Sequence, residues 1–329
     1  MLTTLSFLSL ISFLLAAGVT AWLSGPHTPL RILDHPNERS LHESPVPRTG
    51  GLGVLGGALG GWLLAVWLGL APPPVPVLAG GILVLLMVAF VDDFRGVPSG
   101  VRFLVQLAVA LMTVSGMMET GWVLSSLLAV ALVWMINLYN FMDGMDGFAG
   151  GMAAWGFGLL AVVAGVKGFE VQALYCALLA GGALGFLRLN FPPARIFLGD
   201  MGSTLLGYFA GVTIIEFHDR GILTAGLSLL VFSPFIVDAT VTLLRRLLRG
   251  ERFWQAHRSH YYQRLVQAGW GHRKTVLAEY ALMLLTGISA LAAAGKPSLE
   301  TAIPVLWLVL YGLLLWGLEK GPLRAQRAR

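Results

Sequence analysis

The segment VPVLAGGILVLLMVAFVDDFRG (75–96) begins with 17 uncharged residues and then meets two adjacent aspartates. A run of that length and apolarity is close to what a helix needs to cross the hydrocarbon of a bilayer. Its polar end puts Asp92 and Asp93 at a membrane surface. Comparable runs fill the rest of the 329-residue chain, in which 56% of residues are apolar, 12% are charged and the mean hydropathy is +0.76. A water-soluble domain is excluded by that composition.

Working outward from this segment, hydropathy predicts an all-α polytopic membrane helix bundle of about eleven transmembrane helices in a single domain, 1–329. The runs are 2–23, 51–71, 75–91, 101–118, 122–138, 148–166, 171–189, 201–217, 222–244, 275–294 and 301–318, of which the third and eighth are short. The 41 glycines suit close helix packing in lipid. The single cysteine, Cys176, excludes an intrachain disulfide and reads as a small buried hydrophobe.

No basic residue precedes the first run, whereas Arg31, Arg39 and Arg48 follow it. The N-terminus is therefore expected outside and the C-terminus in the cytoplasm. Alternation places the loops 24–50, 92–100, 139–147, 190–200 and 245–274 and the tail after 319 on the cytoplasmic side. All but three of the 22 Lys and Arg fall in or beside these segments, the exceptions being Lys167, Arg220 and Lys296.

Four polar knots then share one membrane face: Asp92-Asp93, NLYNFMDGMDG (137–147), RIFLGDMGS (195–203) and HRSHYYQR (257–264). Adjacent carboxylates repel unless a cation, a proton or a basic group relieves them. Asn137, Asn140, Asp143 and Asp146 recur every three residues, nearly one helical turn, and Gly144 and Gly147 allow the backbone to open beside a ligand. Hard oxygen donors without a His or Cys cluster suit Mg2+ or Mn2+. Asp200 precedes a helix start, where phosphate is favoured and where an N-cap is the plain alternative. His257, Arg258, His260 and Arg264 sit in a basic loop with Phe253, Trp254, Tyr261 and Tyr262; lipid anchoring is the plain alternative there. Asp238, within the ninth run after Pro234, is by default a functional candidate as an intramembrane carboxylate, but the favoured reading is structural: Pro234 bends the helix and Asp238 pairs with Arg245 or Arg246, fixing the basic loop beneath it.

With the first loop DHPNERSLHESPVPRTGGLG (34–53) added, the motifs VDDFRG, NLYNFMDGMDG, RIFLGDMGS and HRSHYYQRL stand in the order and spacing of a known family. The chain resembles the polyprenyl-phosphate N-acetylhexosamine-1-phosphate transferases, relatives of the phospho-MurNAc-pentapeptide translocase. The resemblance implies transfer of a sugar-1-phosphate from a UDP-sugar to undecaprenyl phosphate, with release of UMP, at the cytoplasmic face of a bacterial inner membrane. It implies a metal held by Asp200 and Asn140, with Asp143 as a further ligand or a water-orienting group. Asp92 or Asp93 would deprotonate or orient the lipid phosphate. Asp146, Gly144, Met145 and Phe197 would line the uracil and ribose. Arg102 would meet the lipid phosphate, and His257, Arg258 and His260 the diphosphate and sugar, with His260 among the catalytic residues. His42, Arg39 and Arg48 would close the site. Membrane lipid is an expected partner and nucleic acid is not; a homodimer is compatible with the family.

Two departures narrow the branch. Gly96 stands where the translocase has a lysine after its aspartate pair, and HRSH replaces its triple histidine. Both argue against UDP-MurNAc-pentapeptide. The HRSHYYQRL form is similar to the enzymes that initiate O-antigen or other surface polysaccharides, with N-acetylhexosamine or deoxy-sugar donors. Among rival functions, a UbiA-like prenyltransferase lacks its DDxxD pattern here, and a CDP-alcohol phosphotransferase lacks its Asp-Gly-Ala-Arg signature. A transporter would carry midplane charge and repeats that this chain does not display.

Overall fold

A computed structural model describes residues 2–30, 32–36, 40–251 and 257–324. Arg31, Arg39, Phe253 and Trp254 lie outside the described residues. The elements are α1 (Leu2–Ser24), β1 (Leu33–Asp34), β2 (Val46–Pro47), α2 (Gly51–Trp67), α3 (Pro76–Arg95), α4 (Ser99–Met117) and α5 (Trp122–Phe141). They continue with α6 (Phe148–Val166), α7 (Glu170–Asn190), α8 (Gly199–Asp219), α9 (Ala225–Val231), α10 (Ser233–Leu248), α11 (Tyr261–Leu265), α12 (Gly271–Ala293) and α13 (Pro297–Lys320). A single π turn, Val266–Trp270, joins α11 to α12.

Every apolar run of the sequence coincides with a helix or a helix pair. Eight helices among the described residues are long and apolar enough to cross a membrane, and the bent pair α9–α10 would make a ninth. The remaining two fall short for different reasons: α2 has 17 residues, and α8, with Asp200, Glu216, His218 and Asp219 near its ends, is less apolar along its length. The protein is thus a polytopic membrane helix bundle.

The run 222–244, read as one span, is two helices bent by 85°. The break comes at Phe232, two residues before Pro234, because proline has no N–H to continue the α9 ladder and its ring is accommodated only in the first turn of a new helix. Ser233 closes the gap, donating to the Leu230 carbonyl at 2.7 Å and sharing a hydrogen bond with Tyr311 Oη on α13, also 2.7 Å.

Helices α1, α2 and α7 meet backbone to backbone. A Cβ at Gly57 would lie 2.4 Å from the Ser12 carbonyl oxygen, and one at Gly185 2.4 Å from that of Phe13. With the helices this close, Ser9 Oγ and Ser12 Oγ reach across to the carbonyls of Ala177 and Leu178, at 3.0 and 2.7 Å. Small residues thus replace the hydrophobic driving force that lipid cannot supply between apolar helices. A second packing centre joins α3, α4, α5 and α8, where Thr113 and Tyr208 share a buried hydrogen bond of 2.8 Å.

At one end of the bundle Glu319 on α13 accepts from Arg245 Nη1 (2.5 Å) and Arg264 Nη1 (2.6 Å). Both guanidinium groups also lie over the Tyr261 ring, at 5.5 and 5.2 Å from its centroid. Arg246 pairs with Glu251 at 3.1 Å. The expected pairing of Asp238 with Arg245 or Arg246 is therefore replaced. Asp238 instead accepts the backbone N–H groups of Tyr261 (2.8 Å) and Tyr262 (3.0 Å) and the Thr242 hydroxyl (3.0 Å). A buried carboxylate that receives three hydrogen bonds needs no cation of its own. Its effect is to tether α11 to α10.

Candidate active site

The polar knots meet at two adjoining cavities. The larger, about 240 Å³, is walled by the first loop (Asp34, Ser40, Leu41, His42, Arg48) and by the α5–α6 loop (Asp143, Gly144, Met145, Asp146). Asn190, Phe197, Gly199, Gln263 and His272 complete it. The smaller, about 50 Å³, opens between α3, α4 and α5 and is lined by Asp92, Arg102, Gln106, Asn137 and Thr204 with apolar residues of α3. Asn140 and Asp200 line both. They are the shared wall.

Local sequence explains how each side chain arrives there. Helix α3 stops at Gly96, whose φ of 72° ends the ladder. The carboxylate of Asp92 then turns back to accept the Val97 N–H at 2.6 Å and pairs with Arg102 from the first turn of α4. Asp93, the next residue and so about 100° further round the same helix, is buried against Arg48: Arg48 Nε lies 3.3 Å from Oδ1, and Arg48 Nη2 donates to the Asp93 carbonyl at 2.5 Å. The adjacent aspartates thus face different cations, and only Asp92 borders the smaller cavity.

Helix α8 begins one residue before Asp200, so Asp200 lies in its first turn and is not an N-cap; Leu198 occupies that position. Gly199, with φ 76°, makes the entry possible. Asn140 Nδ2 donates to Asp200 Oδ1 at 2.6 Å and to Ser203 Oγ at 3.0 Å, which leaves the Asn140 carbonyl oxygen free of these contacts. Asn137 turns away from this set and donates to Gln106 Oε1 at 2.7 Å, so the three-residue spacing splits between the two cavities.

After Phe141 the chain leaves the helix. Gly147 takes the left-handed conformation (φ 75°), but Gly144 does not. Gly144 is required for space: a Cβ there would lie 2.3 Å from Tyr262 Oη. Asp143 is enclosed, and burial followed by the Asp200 and Asp93 carboxylates pushes its acid group well above the usual carboxylate range. Neither carboxylate oxygen of Asp93 has a hydrogen-bond partner of good geometry. Among the described residues, no group of three or more His, Cys, Asp or Glu is arranged as a metal centre. The acidic set at the shared wall is mixed, with the Asn140 amide beside Asp143 and Asp200.

The fourth knot lies differently from its expected place. His260 is 2% exposed and lines neither cavity. Its Nδ1 is 3.5 Å from Asp238, and its ring stacks between Phe141 and Tyr262. His257 packs on His260 at 4.8 Å, and burial together with the neighbouring His260 and Arg246 lowers it to about 4. It is therefore neutral at neutral pH and offers no charge to a diphosphate. Arg258 is exposed and outside both cavities. The residue of this segment that reaches the larger cavity is Gln263, held in place because Tyr262 Oη donates to the Phe141 carbonyl (3.1 Å).

His42 stands over Phe197, ring centroids 4.9 Å apart, and 3.6 Å from Asp34. Gln263, His272, Asn190 and Asp34 are wall residues that sequence reasoning did not single out. Asp34 lies in the first-loop motif; His272 stands at the head of the basic run His272-Arg273-Lys274, where it reads as loop charge.

A model of glycosyl transferase family 4 matches residues 75–218. A protein of Bacillus subtilis (strain 168) described as a probable undecaprenyl-phosphate N-acetylglucosaminyl 1-phosphate transferase is 30% identical over 277 residues, 79% of this chain and 76% of the relative. A decaprenyl-phosphate N-acetylglucosaminephosphotransferase of Mycolicibacterium smegmatis is 30% identical over 89% of this chain and 82% of its own length. A phospho-N-acetylmuramoyl-pentapeptide-transferase of Moorella thermoacetica is 34% identical over 53% of each.

Proposed function

Because the chain belongs to glycosyl transferase family 4, among the polyprenyl-phosphate sugar-1-phosphate transferases, we propose that it moves an N-acetylhexosamine-1-phosphate from a UDP-sugar to undecaprenyl phosphate. The observation that carries this reading is the pair of cavities meeting at Asn140 and Asp200. The larger has the mixed polarity for a nucleotide diphosphate. The smaller, opening between α3, α4 and α5 and lined by Asp92 and Arg102, suits a phosphate whose chain runs into lipid. Cytoplasmic placement of the site in a bacterial inner membrane, eleven spans with the N-terminus outside, and a role at the start of surface-polysaccharide assembly belong to the same proposal.

In the reaction an oxygen of the lipid phosphate forms a bond to the sugar-bearing phosphorus. The bond from that phosphorus to the bridging oxygen breaks, and its electron pair leaves with UMP. Phosphoryl transfer of this kind depends on positioning and charge neutralisation. A phosphate monoester, with a second pKa of about 6, is largely dianionic at neutral pH. Asp92 therefore has no need to remove a proton and serves to hold Arg102 and orient the acceptor.

Asp93, buried, and Asp143 and Asp200, half-buried, are gathered with Arg48 and Arg102 as their nearby cations, a balance that fits a hard divalent ion. Mg2+ or Mn2+ held by Asp200, Asp143 and the Asn140 carbonyl oxygen would neutralise the diphosphate as charge moves to the leaving group. Arg48, tied to Asp93, closes the donor side.

The two-cavity assignment is tested by Arg102→Ala. With Asp92 in the smaller cavity deprived of its cation, the KM for polyprenyl phosphate is expected to rise about tenfold or more, with the donor KM changed by less than about twofold. A rise in donor KM without a change in acceptor KM would reverse the two cavities.

A further inference from the structure

We propose that His272 positions the nucleotide of the donor by clamping the Asp146 carboxylate; the inference rests on the larger cavity being the donor site. Asp146 is held from two sides. Its Oδ2 accepts the Ala194 N–H at 3.0 Å, and its Oδ1 lies 3.1 Å from His272 Nδ1. The Asp146 N–H faces the same ring nitrogen at 3.4 Å. The ring also contacts the backbone of Leu41, so one side chain at the start of α12 joins the first loop to the α5–α6 loop across the cavity wall.

The backbone beside Asp146 has other anchors. Gly147 N–H donates to Asn190 Oδ1 at 2.9 Å, and Tyr280 Oη donates to the Gly147 carbonyl at 2.6 Å. Losing His272 therefore leaves the loop attached to α7 and α12. What it frees is Oδ1: the carboxylate keeps the Ala194 N–H on Oδ2 and can rotate out of the plane of an approaching base. A uracil ring presents an imide N–H that needs an acceptor at a fixed angle. His272 supplies that angle without touching the reacting phosphorus.

The test is equilibrium binding of UMP to the detergent-purified protein, with donor and acceptor kinetics, for the wild type, His272→Ala, His272→Asn and His272→Gln. His272→Ala is expected to weaken UMP binding and raise donor KM by about tenfold, with kcat and acceptor KM within about twofold. Asn, whose amide nitrogen can stand where Nδ1 stood, is expected to recover most of the loss; Gln, which reaches further, is not. Wild-type affinity for UMP in His272→Ala, a fall in kcat at constant KM, or Asn behaving as Ala would each overturn the proposal. If His272→Ala does not fold, the Asn and Gln pair decides. If the wild type binds no UMP, the donor-site reading fails and takes this inference with it. Wild-type binding with an unaffected Ala variant overturns the inference alone.

Discussion

Asp200→Asn is expected to reduce turnover by at least about 10³-fold, roughly 4 kcal/mol of transition-state stabilisation, in a protein that remains folded. The substitution preserves shape and can preserve the contact with Asn140 Nδ2, 2.6 Å in the native protein. It removes the negative charge at the position where the two cavities meet. Because burial and the nearby Asp92 carboxylate already disfavour the ionised form of Asp200, the neutral variant relieves repulsion, and its melting temperature is expected to equal or exceed that of the wild type. Opposite movements of activity and stability are the signature of a group retained for chemistry. Turnover within about tenfold of wild type, at substrate saturation, would remove Asp200 from the site.

Gly199→Ala is expected to lose both activity and stability. Gly199 has φ 76°, where an L-residue costs about 1–2 kcal/mol. In addition its Cβ would stand 2.0 Å from the Arg48 carbonyl oxygen, a backbone atom that cannot swing aside. Relief requires moving the first loop, and overpacking of this kind costs about 1–3 kcal/mol. Arg48 moves with its carbonyl, which loosens its grip on Asp93, while Asp200 is displaced with the helix start. Turnover is expected to fall at least about 100-fold. Gly96→Ala supplies the control, since Gly96 also has positive φ (72°) but a Cβ there would meet nothing within 4 Å. Equal losses of melting temperature and turnover in the two variants would show that the Arg48 contact has no consequence.

The apolar runs were legible because crossing a bilayer imposes a length and a composition on each helix, and all eleven runs recur as helices or a helix pair. The break at Phe232 was less legible. Hydropathy follows side chains, whereas the break belongs to the backbone, and Pro234 marks it only to within two residues. Asp238 was read through its cationic neighbours in sequence, but its partners are the N–H groups of Tyr261 and Tyr262, which no charge pattern reveals.

The candidate site divides in the same way. Asp92, Arg102, Asn140, Asp143, Asp146 and Asp200 come together because each lies at a helix end facing one side of the bundle. For the histidines of HRSHYYQR, a role at the diphosphate and sugar is what the family resemblance implies. In the structure His260 is buried in a stack with Phe141 and Tyr262, His257 packs on it, and it is Gln263 that lines the larger cavity. An uncharged amide, and a histidine that reads as one more member of the basic run His272-Arg273-Lys274, gave no signal. The separation of Asp92 from Asp93 depends on the packing of α4 and the first loop around α3, which adjacent letters in a sequence do not encode.

The most direct measurement incubates the purified protein with undecaprenyl phosphate, Mg2+ and a panel of UDP-sugars labelled in the sugar, and follows free UMP and labelled lipid together. The account predicts UMP and a lipid-linked diphosphate sugar in equal amounts for at least one N-acetylhexosamine donor, with neither formed when the divalent ion is chelated. Failure of every donor to release UMP, or release of UMP without labelled lipid, would contradict it.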